Sequence, residues 1–365
     1  MHINKCNGFG VVLVIDVVRV VKVVMVKTYS TFTTATTLTT KMKKLEELQE
    51  LISEAVTKLS FPVHPAELYE PISYILSIGG KRMRPALLLM ACDLFGGDVD
   101  EALAPALAIE VFHNFTLMHD DIMDNAPLRR GRTTVHERWN QNVAILSGDV
   151  MLIEGYKLMM QVKDRLLRQI LDIFNNTAVG VCEGQQFDME FEQRNDVSIE
   201  EYITMIRLKT AVVLGGALKI GALIGGAELK DAGLLCDFGE HLGIAFQLQD
   251  DILDVYGDPE KFGKQVGGDI ISNKKTYLLI KALELAKDSR FAELNTLLTN
   301  KQFDNTEKVK AVTDIYNSLD VRQYAETEMQ EYADKAFKAL DAINLPEEHK
   351  QYLRDFADGL MVREN

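Results

Sequence analysis

The residues best able to do chemistry are six aspartates in two copies of one pattern, Asp120-Asp121-Ile122-Met123-Asp124 and Asp250-Asp251-Ile252-Leu253-Asp254. On a helix, positions i and i+4 share a face, so Asp120 stands over Asp124 and Asp250 over Asp254. Like charges massed in this way repel and raise one another's pKa, so each trio demands a counter-cation. Oxygen donors without histidine or cysteine favour Mg²⁺, with Mn²⁺ as a substitute, over zinc. Carboxylates do not hold a phosphate directly, but metal ions between them do. One such pattern alone is as readily a solvated acidic helix face. Two, each following an apolar run (Val111 to Met118 and Ile244 to Leu248), argue against that reading. A carboxylate-bridged di-iron site would carry Glu-x-x-His pairs, and these segments have none.

Cations stand where a diphosphate chemistry needs them. Gly79-Gly80-Lys81-Arg82-Met83-Arg84-Pro85 sets three basic side chains just ahead of a helix start. Free backbone N–H groups and the helix dipole favour an anion there. Arg129-Arg130-Gly131 follows the first acidic pattern within one loop, and arginine forks match phosphate oxygens. Lys209-Thr210, Lys264 and Lys274-Lys275-Thr276 add donors. Any one of these pairs alone reads as surface charge; together, beside two acidic patterns, they read as an anion site. His113 stands seven residues, or two helical turns, before Asp120. A lone histidine in an apolar helix is usually a satisfied core residue, but this one is a candidate to face the same cavity.

The elements that must position these side chains are helical. Leu45, Leu48, Ile52, Ala55 and Leu59 recur at three- and four-residue steps. Further helices are expected at Pro71–Ile78, from Pro85, and at Ala102–Asp124, Ala144–Lys163, Arg165–Glu192 and Ile199–Ile224. The pattern returns at Leu234–Tyr256, Tyr277–Ala286, Val321–Ile343 and Glu347–Met361. No strand pattern of useful length follows Met42. Gly215-Gly216, Gly221 and Gly225-Gly226 mark close helix contacts or a helix end. The chain has 365 residues, 47% of them hydrophobic, enough for one large helical domain or two smaller ones. A net charge of −14 argues against nucleic acid or an anionic membrane as partner. Cys6, Cys92, Cys182 and Cys236 are too scattered for a disulfide framework or a zinc site and suit a reducing cytoplasm.

Residues 1–41 differ from the rest. Val11 to Val26 is valine-rich, yet Asp16, Arg19 and Lys22 interrupt it, which argues against a stable membrane span. Tyr29 to Thr40 is a threonine-rich run without an acid. It fits either a transit peptide or upstream sequence read from a misassigned start, with Met42 the true first residue. The expected division is therefore a poorly ordered extension over 1–41 and a helical enzyme domain over 42–365.

Gly79–Pro85, Asp120–Asp124 with Arg129-Arg130-Gly131, Lys209-Thr210, and Phe246-Gln247 ahead of Asp250–Asp254 resemble the trans-isoprenyl diphosphate synthases, the family of the farnesyl and geranylgeranyl diphosphate synthases. The resemblance spans essentially everything after Met42. It implies an all-α fold, a single large antiparallel helix bundle around a deep central cavity, usually a homodimer. It further implies that Asp120, Asp124 and Asp250 ligate three Mg²⁺ ions, with Asp121, Asp251 and Asp254 as supporting ligands. By the same resemblance Lys81, Arg84, His113 and Arg130 bind isopentenyl diphosphate. Arg129, Lys209, Thr210, Gln247, Lys264 and Lys274 then hold the allylic diphosphate (dimethylallyl, geranyl or farnesyl). The activity it implies is ionisation, condensation and elimination, with no protein nucleophile. Three departures stand out: Asn273 replaces the glycine many members carry before Lys274, Val362–Asn365 lacks a strongly basic tail, and residues 1–41 match nothing in the family.

Growing chains in this family extend beside the helix of the first pattern. Phe115 lies about 7.5 Å and Phe112 about 12 Å before Asp120 along such a helix. A ring at Phe115 is expected to act as a floor, giving C15 to C20 products; the alternative is that both rings are core packing. A terpene cyclase would carry one diphosphate pocket and a different second metal pattern. A non-catalytic regulator of another synthase would be free to lose aspartates, and all six are present.

Overall fold

Apolar side chains at helical spacing wind nearly the whole chain from Leu45 into helices. The computed structural model describes residues 42–258, 267–300 and 304–361. The expectations for residues 1–41, for Lys264 and for Val362–Asn365 lie outside the described residues. By its internal contacts the chain divides after Met42, and the second unit runs Lys43–Asn365.

The order is α1 Leu45–Thr57, α2 Ala66–Ser77, α3 Met83–Leu94 and α4 Val99–Met123, then a hairpin of β1 Leu128–Arg129 and β2 Arg132–Thr133. There follow α5 Val135–Arg138, α6 Gln141–Met159, α7 Asp164–Gln193 and α8 Ile199–Ile206, which runs through a π-helical turn, Arg207–Ala211, into α9 Val212–Gly225. The rest is α10 Leu229–Tyr256, α11 Gly268–Ser272, α12 Tyr277–Leu285, α13 Asp288–Thr299, α14 Asn305–Ser318, α15 Val321–Asp341 and α16 Glu347–Met361.

The fold is all-α, and α9 is its axis. It packs against α3, α4, α7 and α10, so it separates the two helices that carry the aspartates. Its glycines permit backbone contact: a Cβ on Gly221 would lie 2.0 Å from the Leu88 carbonyl oxygen, and one on Gly239 of α10 would lie 2.9 Å from Gly215. The stretch Ile199–Gly225 is long and apolar enough to cross a membrane, but 67% of its apolar window is buried within the bundle. It is a core element.

Several elements differ from expectation. The strands β1 and β2 are two residues each, too short to show a period of two in sequence. Their two-residue loop puts Arg130 and Gly131 at φ +53° and +74°, the pattern of a type I′ hairpin turn. Helix α3 starts at Met83, so Pro85 falls at its third position, where a missing N–H still costs nothing. Pro71 sits inside α2 rather than at its start and removes one intrahelical bond. Helices α13 and α14 were not legible, because α13 buries only Leu294 and Leu297 and α14 is a largely polar helix.

Candidate active site

Helix α4 ends at the first acidic pattern. Asp124 caps it, its N–H bonded to the Asp120 carbonyl at 2.8 Å. Asp120 is partly accessible and Asp124 exposed, whereas Asp121 is only 2% exposed. The Asp121 carboxylate accepts from Arg129 Nε at 2.9 and 3.0 Å, with Nη2 at 2.7 Å. The second pattern repeats this division. Asp251 is buried and accepts from the Tyr202 hydroxyl and from the Tyr277 N–H at 3.3 Å. Asp250 and Asp254 stay partly accessible, and Asp254 Oδ2 accepts from Asp269 N–H at 3.0 Å. In each trio the middle carboxylate is thus engaged by protein donors.

One carboxylate in each pattern is held above the ordinary range. Burial pushes Asp120 up to about 6; Lys209 and Arg129 oppose this, and Asp124 and Asp121 reinforce it. Burial likewise pushes Asp251 up to about 7, against the Tyr202 hydrogen bond. A divalent ion beside such raised carboxylates would favour their charged form.

A cavity of about 1060 Å³ collects Asp124, Asp188, Lys209 and Lys274. Lys209 Nζ lies 2.5 Å from Asp188 Oδ2 of α7. Burial acts to lower the Lys274 pKa, yet Asp269, Asp188, Asp251 and Asp124 together outweigh it and raise the value. Lys274 therefore stands in the field of both acidic patterns at once. The π turn delivers Lys209, and α7 reaches it through Gly184, whose absent Cβ would lie 2.2 Å from Lys209 N. Such insertions occur often at functional positions because the extra residue redirects side chains.

The next residue of that turn, Thr210, lines a second cavity, of about 570 Å³. There Lys81, Arg84, His113 and Arg130 converge, walled by Leu214, Phe246, Phe356 and Leu360. Arg84 Nη1 lies 3.3 Å from His113 Nε2, and buried Arg84 Nε has no partner among the described residues. Burial, and then Arg84, Arg130, Arg129 and Arg82, hold His113 well below the ordinary imidazole range, so it is neutral. Gly80, at φ +153°, lets the Arg130 guanidinium lie against the backbone, where a Cβ would come within 2.4 Å. Arg82 turns away from its basic neighbours. Its backbone is left-handed at φ 48°, and its guanidinium pairs with buried Glu110 and donates to the Leu76 carbonyl at 2.9 Å. Asn114 Nδ2 completes the network with a 2.8 Å bond to Glu110 Oε1.

Comparison with known proteins identifies the family. The family model described as polyprenyl synthetase matches residues 65–316. The chain belongs to the polyprenyl synthetase family. It is 39% identical over 302 residues to a geranylgeranyl diphosphate synthase of Sulfolobus acidocaldarius, covering 80% of this chain and 90% of the relative. A short chain isoprenyl diphosphate synthase of Methanothermobacter thermautotrophicus is 34% identical over 316 residues, 86% and 96% of the two chains. A crystal structure of geranylgeranyl pyrophosphate synthase superposes with a TM-score of 0.84 at 43% identity, over 89% of this chain and all of that one. This polyprenyl synthetase is a prenyltransferase of isoprenoid synthesis, joining C5 units head to tail into short prenyl diphosphates.

The expected residues separate into groups in this polyprenyl synthetase. Lys81, Arg84, His113 and Arg130 share one cavity, while Lys209 and Lys274 share the other. Thr210 joins the first of these groups, and Arg129 is engaged by Asp121. Gln247 lines neither cavity; its neighbour Phe246 does. Phe112 is buried against Phe174, ring centroids 5.4 Å apart, and Phe115, partly exposed, packs on Phe112 at 5.8 Å and on His119 at 4.7 Å. Sequence reasoning missed Asp188 and Glu110, acids that belong to neither repeated pattern. It also missed Phe356 and Leu360, because nothing local says which helix closes a pocket.

Proposed function

We propose that this enzyme condenses isopentenyl diphosphate with an allylic diphosphate (dimethylallyl, geranyl or farnesyl) to give all-trans C15–C20 prenyl diphosphates. One observation carries the assignment: successive residues of a single π turn, Lys209 and Thr210, face two different cationic cavities. Asp124 of the first acidic pattern borders the first, which suits a metal-bound allylic diphosphate. In the second, the lining carboxylate Glu110 is already paired with Arg82, which suits isopentenyl diphosphate bound by Lys81, Arg84, His113 and Arg130 alone.

The donor set fits magnesium. Among the described residues no three Asp, Glu, His or Cys side chains form a ready cage. Mg²⁺ needs none, since it takes one or two carboxylates and fills its octahedron with water and substrate phosphates. Asp120, Asp124, Asp250 and Asp254 would hold up to three ions, with Asp121 and Asp251 orienting their neighbours. When bound, the metal would neutralise charge building on the departing diphosphate. Lys209 and Lys274, joined by Arg129 and Lys264, hold that diphosphate and stabilise its charge as the allylic C–O bond ionises. The second cavity holds the isopentenyl double bond against the cation, and a proton then leaves to the freed diphosphate. Leu214, Phe246, Phe356 and Leu360 keep water away from the cation.

Phe115 forms the floor for the growing chain, with Phe112 as its support. The enzyme works as a homodimer through α6, where Leu146, Ile153 and the C-capping Met160 recur every seven residues, exposed by 58%, 54% and 53%. The enzyme domain is residues 42–365, the preceding residues carry no chemistry, and the compartment is the cytoplasm. The test is incubation with dimethylallyl and isopentenyl diphosphates plus Mg²⁺, followed by sizing of the products. C15 or C20 diphosphate, lost on EDTA treatment and restored by Mg²⁺, is the expected result. Undiminished turnover in EDTA would refute the metal assignment.

A further inference from the structure

Lys274 follows a residue that departs from the family pattern, and the structure explains how the departure is accommodated. Asn273 ends α11 in the left-handed conformation, φ 56° and ψ 33°. Glycine meets that requirement without strain, and asparagine is one of the few other residues that adopt it readily. Asparagine, however, brings a side chain, and here both of its polar atoms are used. Nδ2 donates to the Leu298 carbonyl of α13 at 2.9 Å, and Oδ1 accepts from Lys308 Nζ of α14 at 2.7 Å. Lys308 is buried, 7% exposed, and also donates to the Ile271 carbonyl at 3.1 Å. Both of these acceptors are neutral oxygens on the segment leading to Lys274. Burying an ammonium without a carboxylate is costly unless its hydrogen bonds are well made.

We propose that Lys308 and Asn273 form a latch that positions Lys274 for the allylic diphosphate. A glycine at 273 would lose the tie to α13 and leave only the Lys308 bond to the Ile271 carbonyl reaching across to this segment. The latch instead fastens that segment to α13, which forms part of the cavity wall, and to α14 behind it, before substrate arrives. Preorganising a cationic ligand in this way lowers the cost of binding, because less freedom is lost when the diphosphate docks. Both act on Lys274 as positioning residues: Lys308 lies outside the cavity lining, and Asn273, which borders the cavity beside Lys274, has both side-chain polar atoms committed to α13 and α14. The inference deepens the function proposed above and rests on its assignment of Lys274.

The experiment compares the wild type with Lys274→Ala, Asn273→Gly, Lys308→Met and the double variant Asn273→Gly/Lys308→Met. KM for dimethylallyl diphosphate, KM for isopentenyl diphosphate and kcat are measured beside thermal unfolding. Asn273→Gly keeps the left-handed backbone, so it separates positioning from folding, and Lys308→Met, away from the cavity lining, separates the latch from loss of a wall side chain. The expected result is a rise of about tenfold in allylic KM for each latch variant, with isopentenyl KM changed by less than about twofold. The double variant should show no more than the larger single effect, since both changes open the same latch. An allylic KM that stays at the wild-type value in folded Asn273→Gly, while Lys274→Ala raises it, overturns the latch alone. An unchanged allylic KM in Lys274→Ala overturns the assignment of Lys274 and the latch with it. Equal changes in both KM values would mark a general loss of structure and also overturn the proposal.

Discussion

Gly184→Ala puts the smallest possible side chain where α7 crosses the π turn. Its Cβ would lie 2.2 Å from Lys209 N, 2.7 Å from Lys209 Cα and 2.8 Å from the Leu208 carbonyl carbon. Backbone atoms have no rotamer through which to move aside. To reach ordinary contact the helix and the turn must separate by roughly 1 Å. Overpacking of this kind costs about 1–3 kcal/mol. The same shift moves Asp188, one helical turn beyond Gly184, relative to Lys209 and opens their 2.5 Å pair. A displacement of about 1 Å at a catalytic centre lowers kcat/KM by about 10²-fold. Gly180→Ala is the internal control, four residues earlier on the same helix. There the Cβ meets only the ends of Leu208 and Val212, at 3.4 and 3.5 Å. This change should be tolerated and, through better helix propensity, should stabilise by about 0.5 kcal/mol. Thermal unfolding and steady-state kinetics with varied allylic diphosphate check both. If Gly184→Ala melts and turns over like Gly180→Ala, close packing at this crossing does not set the position of Lys209.

Asp120→Ala and Asp250→Ala should each cut turnover by at least about 10³-fold with the circular dichroism of the folded chain unchanged; activity retained in either removes that residue from the metal set. Phe115→Ala should lengthen the main product by about one isoprene unit, read by sizing the dephosphorylated alcohols, while an unaltered spectrum would dismiss Phe115 as the floor. Glu110→Leu leaves buried Arg82 unpaired and should cost about 3–5 kcal/mol in denaturant unfolding. The pair Arg82→Met/Glu110→Leu should recover most of that stability yet keep a raised isopentenyl KM; recovery of KM as well would mean the network does not shape the pocket. His113 titrates well below its unfolded value of 6.5, so the unfolded chain binds more protons as pH falls. Stability conferred by neutral His113 is thus complete above pH 6.5 and is lost below it, by about 1.4 kcal/mol per pH unit. His113→Gln should flatten that slope, and an identical pH profile in the variant would contradict the depressed pKa.

Local information carried most of what the sequence determined. Helical periodicity marked the long helices, because a buried stripe at three- and four-residue steps is written in neighbouring residues. Two acidic patterns and a basic loop announced diphosphate chemistry, because charges that must gather around an anion leave a dense composition. The same density hid the division of labour within it. Six aspartates look alike in sequence, yet Asp121 and Asp251 turn inward to Arg129 and Tyr202, since each helix has one face toward the cavity and one toward the core. Arg82 reads as a third phosphate ligand until its left-handed backbone directs it to Glu110. Asp188, Phe356, Leu360 and Lys308 reach the site or its supports from distant helices, and only tertiary packing decides which helix ends meet. The π turn belongs to that second class as well: α7 presses on it at Gly184, and Lys209 and Thr210 consequently face two cavities. Residue types determined the chemistry on offer, and the crossing of helices decided which atoms are free to perform it.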